Sequence, residues 1–152
     1  MTDYALLCRQ LLSLAAEDRW YVPLLSNASA LLFEALPDLN WAGFYLVRGD
    51  RLVLGPFQGK TACIHIARGR GVCGAAWAQG KTQRVDDVHL FPGHIACDGA
   101  SNAEIVIPLK KDGRTVAVMD LDSPRLRRFD EADQRGLEAF ARALEAETDW
   151  GA

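Results

Sequence analysis

The stretch Glu104-Ile105-Val106-Ile107-Pro108-Leu109-Lys110-Lys111-Asp112-Gly113-Arg114-Thr115-Val116-Ala117-Val118-Met119-Asp120-Leu121-Asp122 decides the fold class. Two runs rich in β-branched residues flank the turn at Lys111-Asp112-Gly113, which predicts an antiparallel hairpin of strands 104–109 and 114–122. Side chains alternate along a strand. Ala117, Met119 and Leu121 therefore share one face, and Val116, Val118, Asp120 and Asp122 the other. The two aspartates leave the same face two residues apart, and Glu104 opens the neighbouring strand, where a third carboxylate can converge on them. At a strand end open to solvent such acids are unremarkable. On an enclosed face they make a site for a cation such as an ammonium group. Crowding then raises at least one pKa and leaves a protonated carboxyl able to donate a hydrogen bond.

Working outward towards the N-terminus, Trp41-Ala42-Gly43-Phe44-Tyr45-Leu46-Val47 reads as a strand, and Gly49-Asp50 as a turn into Arg51-Leu52-Val53-Leu54. Trp41, Gly43 and Tyr45 fall on one face, either as core or as an aromatic wall for a small ligand that Gly43 lets come close. Thr61 to Ile66 reads as another short strand, Gly69, Gly71 and Gly74 punctuate a loop, and 72–79 reads as a short helix. The polar stretch from Val85 to Asn102 is irregular, and a loop of about 18 residues in so small a domain points to function. At the N-terminal end, Tyr4, Leu7, Cys8, Leu11, Leu12 and Ala15 recur at the spacing of a buried helical stripe. A second helix is predicted over 22–36, with Pro23 in its first turn and Pro37 ending it. At the other end, Asp130 caps a helix whose Leu137, Phe140, Ala141 and Leu144 form one face. Helices at both ends around antiparallel strands make the class α+β.

Composition bounds the function. With 152 residues, 49% hydrophobic and 24% charged, the chain is expected to form a single globular domain over 1–152. A net charge of -3 leaves no basic footprint for nucleic acid. No apolar run approaches the roughly 18 residues that span a bilayer. Met1-Thr2-Asp3-Tyr4 lacks the basic start of a signal peptide, so a cytoplasmic protein is expected.

In a reducing compartment, Cys8, Cys63, Cys73 and Cys97 are expected as free thiols, metal ligands or catalytic groups. No CxxC pair occurs, and the intervals of 10 (73 − 63) and 24 (97 − 73) match no common zinc pattern. A zinc site completed by His65, His89 or His94 is the alternative. Cys8 sits in the first helical stripe as a small hydrophobe. Cys73 stands at a helix N-terminus, where free N–H groups stabilise a thiolate. Cys63, on a strand, is buried unless it meets a partner. Cys97 lies in polar, flexible surroundings suited to a reactive thiol. Three thiols so close, without metal spacing, lean towards redox exchange. His65 shares a strand face with Cys63, while His89 and His94 flank a Phe-Pro-Gly turn and read as backbone caps. Arg125, Arg127 and Arg128 read as a solvated run without a phosphate loop.

The segments Gln58-Gly59-Lys60-Thr61-Ala62-Cys63-Ile64-His65-Ile66, Gly69-Arg70-Gly71-Val72-Cys73-Gly74 and Gly93-His94-Ile95-Ala96-Cys97-Asp98 resemble those of the free methionine-(R)-sulfoxide reductases, which are single-domain GAF proteins. So do Ser101-Asn102-Ala103-Glu104-Ile105-Val106-Ile107-Pro108-Leu109 and Asp120-Leu121-Asp122-Ser123, and the resemblance runs in order from about Ser26 to Leu144. It implies the GAF fold, an antiparallel sheet flanked by helices. It implies a cytosolic enzyme, commonly a homodimer, that reduces free L-methionine-(R)-sulfoxide in oxidant repair. Thioredoxin recycles such enzymes, and neither a cofactor nor a metal is called for. Carried over by motif, Cys97 is the catalytic cysteine, Cys63 the resolving one and Cys73 an auxiliary one. Glu104, Asp120 and Asp122 are the acids around the substrate, and Trp41 and Tyr45 the aromatic pocket residues. Gly99 stands where alanine is expected and Met119 where leucine is common; Gly99 loosens the loop, and neither change removes a chemical group. A Cys63–Cys97 disulfide would require their Cα atoms within about 7 Å. The competing readings are a GAF sensor without turnover, against which the lack of an output domain counts, and a thiol-based zinc protein.

Overall fold

The computed structural model describes residues 1–95 and 97–151. Ala96, in one of the motifs above, and Ala152 lie outside the described residues. The elements in chain order are α1 (Tyr4–Glu17), α2 (Tyr21–Ala35), β1 (Trp41–Arg48), β2 (Arg51–Gly59), β3 (His65–Ala67), α3 (Gly71–Gln79), β4 (Gln83–Val85), β5 (Ala103–Lys111), β6 (Arg114–Ser123) and α4 (Glu131–Glu147). The six strands form one antiparallel sheet in the order β3-β2-β1-β6-β5-β4. The class is α+β, as the sequence predicts.

The hairpin forms as the alternation requires. Ala117, Met119 and Leu121 join Ala42, Phe44, Ile105, Ile107 and Leu109 on one face of the sheet, under the buried sides of α1, α2 and α4. Leu137, Phe140, Ala141 and Leu144 of α4 are all fully buried there. Asp130 caps α4, accepting from the Asp133 N–H, while the Asp133 carboxylate accepts from the Asp130 N–H. On the other face Trp41, Tyr45, Val106 and Val118 pack with Val72, Cys73, Ala76 and Trp77 of α3. This second, smaller layer holds the site. Gly74 lets α3 start close to β3, since a Cβ there would stand 2.6 Å from the Ala67 carbonyl oxygen.

The helical stripe of α1 is narrower than predicted. Leu12 is 46% exposed and Cys8 only half-buried, because the fully buried line of α1 runs through Leu7, Leu11 and Ala15, with Tyr4, Cys8 and Leu14 at its margins. The predicted strand over 61–66 shrinks to His65–Ala67, and Thr61 to Ile64 are irregular. Side-chain bonds explain the difference: the Lys60 and Cys63 carbonyls accept from the Trp41 indole and the Tyr45 hydroxyl instead of joining a ladder. Cys63 is therefore on no strand and shares no strand face with His65. The long loop starts from the end of an edge strand, β4, which is paired to β5, and contains a 3-10 turn at Val88–Leu90. Arg128 is not solvated. It is 6% exposed, pairs with Asp133 at 3.2 Å and donates to the Pro37 carbonyl at 2.9 Å.

Candidate active site

The register of the central hairpin assembles the acids. Glu104 lies directly opposite Asp122 across the β5–β6 ladder, and Val106 opposite Asp120. All three carboxyls are buried, at 8%, 5% and 8% exposure for Glu104, Asp120 and Asp122. The solvent-exposed strand end is thereby excluded. β1 pairs with the other edge of β6, Trp41 opposite Asp122 and Gly43 opposite Asp120. Trp41 and Tyr45 thus stand beside the acids, stacked with centroids 5.9 Å apart, and Phe57 stacks behind Trp41 at 5.2 Å. A Cβ on Gly43 would overlap Phe57 as β2 crosses at the bulge, so this glycine serves strand packing rather than ligand approach.

These side chains line a pocket of about 540 Å3, mouth included, closed by Val72 and Cys73 of α3 and by the loop bearing His94, Cys97 and Ser101. Cys63 and Cys97 are joined by a disulfide, with Cα atoms 5.7 Å apart, across 34 residues of sequence. Cys8 and Cys73 are free thiols. Of the sequence-predicted site residues, Cys73, Cys97, Glu104, Asp120, Asp122, Trp41 and Tyr45 all line this one pocket, and Cys63 is bonded to its rim. His65 is exposed on β3, and the His89 ring lies 2.8 Å from the Asp87 carboxylate; neither lines the pocket.

Burial, followed by the charge of Asp120, pushes the Glu104 carboxyl well above the usual range. Burial and Asp122 do the same to Asp120, and burial and Glu104 to Asp122. With like charges packed so closely, each carboxyl disfavours ionisation of the others, and the three titrate as one coupled set. Cys73 departs from expectation. It sits near the α3 N-terminus, but burial and then Asp120 and Glu104 push its thiol well up, with Sγ 4.0 Å from Glu104 Oε2. The helix end does not offset three neighbouring acids, and Cys73 is a thiol rather than a thiolate. Burial, then the same acids, keep the Tyr45 phenol protonated, and it donates to the Cys63 carbonyl at 2.9 Å.

β1 and Asn40 just before it hold both cysteine segments. Trp41 Nε1 donates to the Lys60 carbonyl at 3.2 Å and Tyr45 to that of Cys63, on the Cys63 side. On the other side, Asn40 Nδ2 donates to Asp98 Oδ2 at 2.9 Å and to Ser101 Oγ at 3.0 Å, beside Cys97. The Ala100 N–H and then the Asn40 amide hold the Asp98 carboxyl below its usual range. Sequence reasoning missed Asn40, whose partners lie 58 and 61 residues away with no local signal. It also missed Arg70 and His94 as pocket residues. Replacing Asn40 by Ala removes two bonds, one to a charged acceptor, and is expected to lower kcat by roughly tenfold or more. Steady-state kinetics beside a thermal melt check this, with the melt close to that of the parent protein.

An antiparallel sheet with helices packed on one face and an enclosed pocket on the other defines a GAF domain, and the GAF-domain family profile matches residues 25–146. The chain is 52% identical over 142 residues to the free methionine-R-sulfoxide reductase of Escherichia coli strain K12, covering 93% of this chain and 86% of that one. It superposes on the reduced form of fRMsr of Staphylococcus aureus with a TM-score of 0.94 at 47% identity, over 98% and 97% of the two chains. It also superposes on free methionine-R-sulfoxide reductase of Neisseria meningitidis in complex with its substrate, with a TM-score of 0.91 at 47% identity, over 95% and 87%. The chain belongs to the GAF-domain family and, within it, to the free methionine-R-sulfoxide reductases.

Proposed function

We propose that the protein reduces free L-methionine-(R)-sulfoxide to L-methionine as an oxidant-repair enzyme. The observation that carries this reading is a Cys63–Cys97 disulfide at the rim of a pocket lined by three buried carboxyls, each raised above its ordinary pKa by burial and by its neighbours. A sulfoxide sulfur is a poor electrophile until its oxygen accepts a hydrogen bond or proton. A protonated carboxyl among Glu104, Asp120 and Asp122 donates it, and an ionised neighbour holds the substrate ammonium. Trp41 and Tyr45 pack against the methyl end.

The Cys97 sulfur then attacks the sulfoxide sulfur. The S–O bond breaks, oxygen and proton end on Cys97 as a sulfenic acid, and methionine leaves, reduced by two electrons. The Cys63 thiol attacks the sulfenic acid, water leaves, and the disulfide forms. A reduced dithiol protein, thioredoxin, reopens it by exchange and takes up the disulfide itself. Cys73 has no bond to break in this cycle and assists from inside the pocket. The reaction needs no cofactor. We place the enzyme in the cytoplasm as a homodimer of one-domain chains, in keeping with its need for reduced thioredoxin. Among the described residues no helix is long and apolar enough to cross a membrane.

A pocket that must neutralise a free ammonium discriminates against peptide-linked methionine. With a thioredoxin recycling system, turnover is expected of the free (R) epimer alone. The (S) epimer and a methionine-sulfoxide peptide should stay at the uncatalysed rate, and a peptide consumed at a similar rate would overturn the assignment.

A further inference from the structure

Cys73 Sγ, a Glu104 carboxylate oxygen and an Asp120 carboxylate oxygen lie within 4.8 Å of one another, all buried. Asp120 lines the pocket at 5% exposure, and its Oδ1 takes no hydrogen bond from any described residue. Among the described residues, none of Glu104, Asp120 and Asp122 forms an ion pair. The pocket therefore presents one soft and two hard donors converging on a point, with a buried acceptor left over. We propose that it also binds a thiophilic divalent cation, Zn2+, through Cys73, Glu104 and Asp120, in competition with the amino acid.

The donor set selects the ion. Magnesium and calcium need six or more oxygen ligands and gain nothing from sulfur, whereas zinc accepts a thiolate with carboxylates in four-coordinate geometry. Bonds of about 2.3 Å to sulfur and about 2.1 Å to oxygen put tetrahedral ligands roughly 3.5 Å apart, so the side chains close in by about 1 Å. The fourth position faces the pocket and takes water. A single ammonium brings one positive charge to this cluster; zinc brings two and displaces the protons of its ligands. Cys73 stands outside the disulfide, so the site exists in the oxidised protein as well as in the reduced one.

The oxidised protein gives the decisive test, because its bridged cysteines offer no thiolate. Titration with Zn2+ against a chromophoric chelator is expected to show one equivalent per chain. Cys73→Ser and Glu104→Gln should each weaken binding by about 10–100-fold or more, at least the loss that outer-shell changes cause. Co2+ in place of zinc should give a thiolate charge-transfer absorption that Cys73→Ser lacks and Cys8→Ser keeps. Free methionine should raise the apparent zinc dissociation constant in proportion to its concentration. Loss of the absorption in Cys8→Ser with retention in Cys73→Ser, or the absence of a stoichiometric site, would overturn the proposal. Only the competition rests on the function proposed above. Turnover measured in chelator-treated buffer tests that function apart, so an inactive enzyme that binds zinc and an active one that does not are distinguishable outcomes.

Discussion

Replacing Cys97 by Ser is expected to bring turnover of free methionine-(R)-sulfoxide down to background, a loss on the order of 10^4-fold or more. The hydroxyl keeps the size and the polarity of the side chain but cannot accept the sulfoxide oxygen as a stable sulfenic acid. Cys63→Ser separates the two half-reactions. It leaves the attack on sulfur intact and removes the thiol that resolves the product. One methionine per chain should then appear in a single burst, with Cys97 held as a sulfenic acid that a dimedone-type trap labels. The assay is a quench-flow measurement of methionine beside the mass of the labelled protein. A burst from Cys97→Ser would reverse the assignment of the two roles, and labelling at Cys73 in place of Cys97 would move the nucleophile to Cys73.

Asp120→Asn should separate activity from stability. Loss of a proton donor or ammonium partner is expected to lower kcat/KM by roughly 10^2–10^4-fold. Stability moves the other way. The unfolded carboxyl titrates near 3.9, whereas burial first, and Asp122 second, raise Asp120 well above its usual range in the folded protein. Between those values the folded state binds more protons than the unfolded one. The stability that the group contributes is present below the unfolded pKa and is lost as pH rises through the folded one. Asparagine does not titrate, so the substrate-free variant should melt above the parent at pH 8, and the gap should close towards pH 4. Each kcal/mol recovered raises Tm by about 2–4 °C in a chain of this size. Melting curves across that range check the sign; a variant less stable than the parent at pH 8 would show that Asp120 is charged and satisfied in the fold.

The legible parts of this protein are those with a short period. Alternation in 114–122 put both aspartates on one face, and the helical stripe of 137–144 named four residues that the fold buries completely. The misread parts are those where a distant group competes for the backbone. Thr61 to Ile64 carry strand-like residues, yet Trp41 and Tyr45 take the carbonyls that a ladder would use. Arg128 looks like one of a solvated cluster until Asp133 and the Pro37 carbonyl enclose it. Cys73 has the sequence setting of an activated thiolate, and burial first, then the carboxyls of β5 and β6, reverse this.

By itself the sequence determined the α+β class, the hairpin that carries the acids, and, through motif resemblance, the residues proposed for the chemistry. These follow from local periodicity and from residue identity, which need no third dimension. Only the tertiary structure decided that the acids are enclosed, that Cys63 and Cys97 meet across 34 residues, and that Asn40 holds the loop beside them. Enclosure and titration state are sums over neighbours from many segments. They exist only once β1, β5, β6 and α3 have packed around one pocket and removed its water.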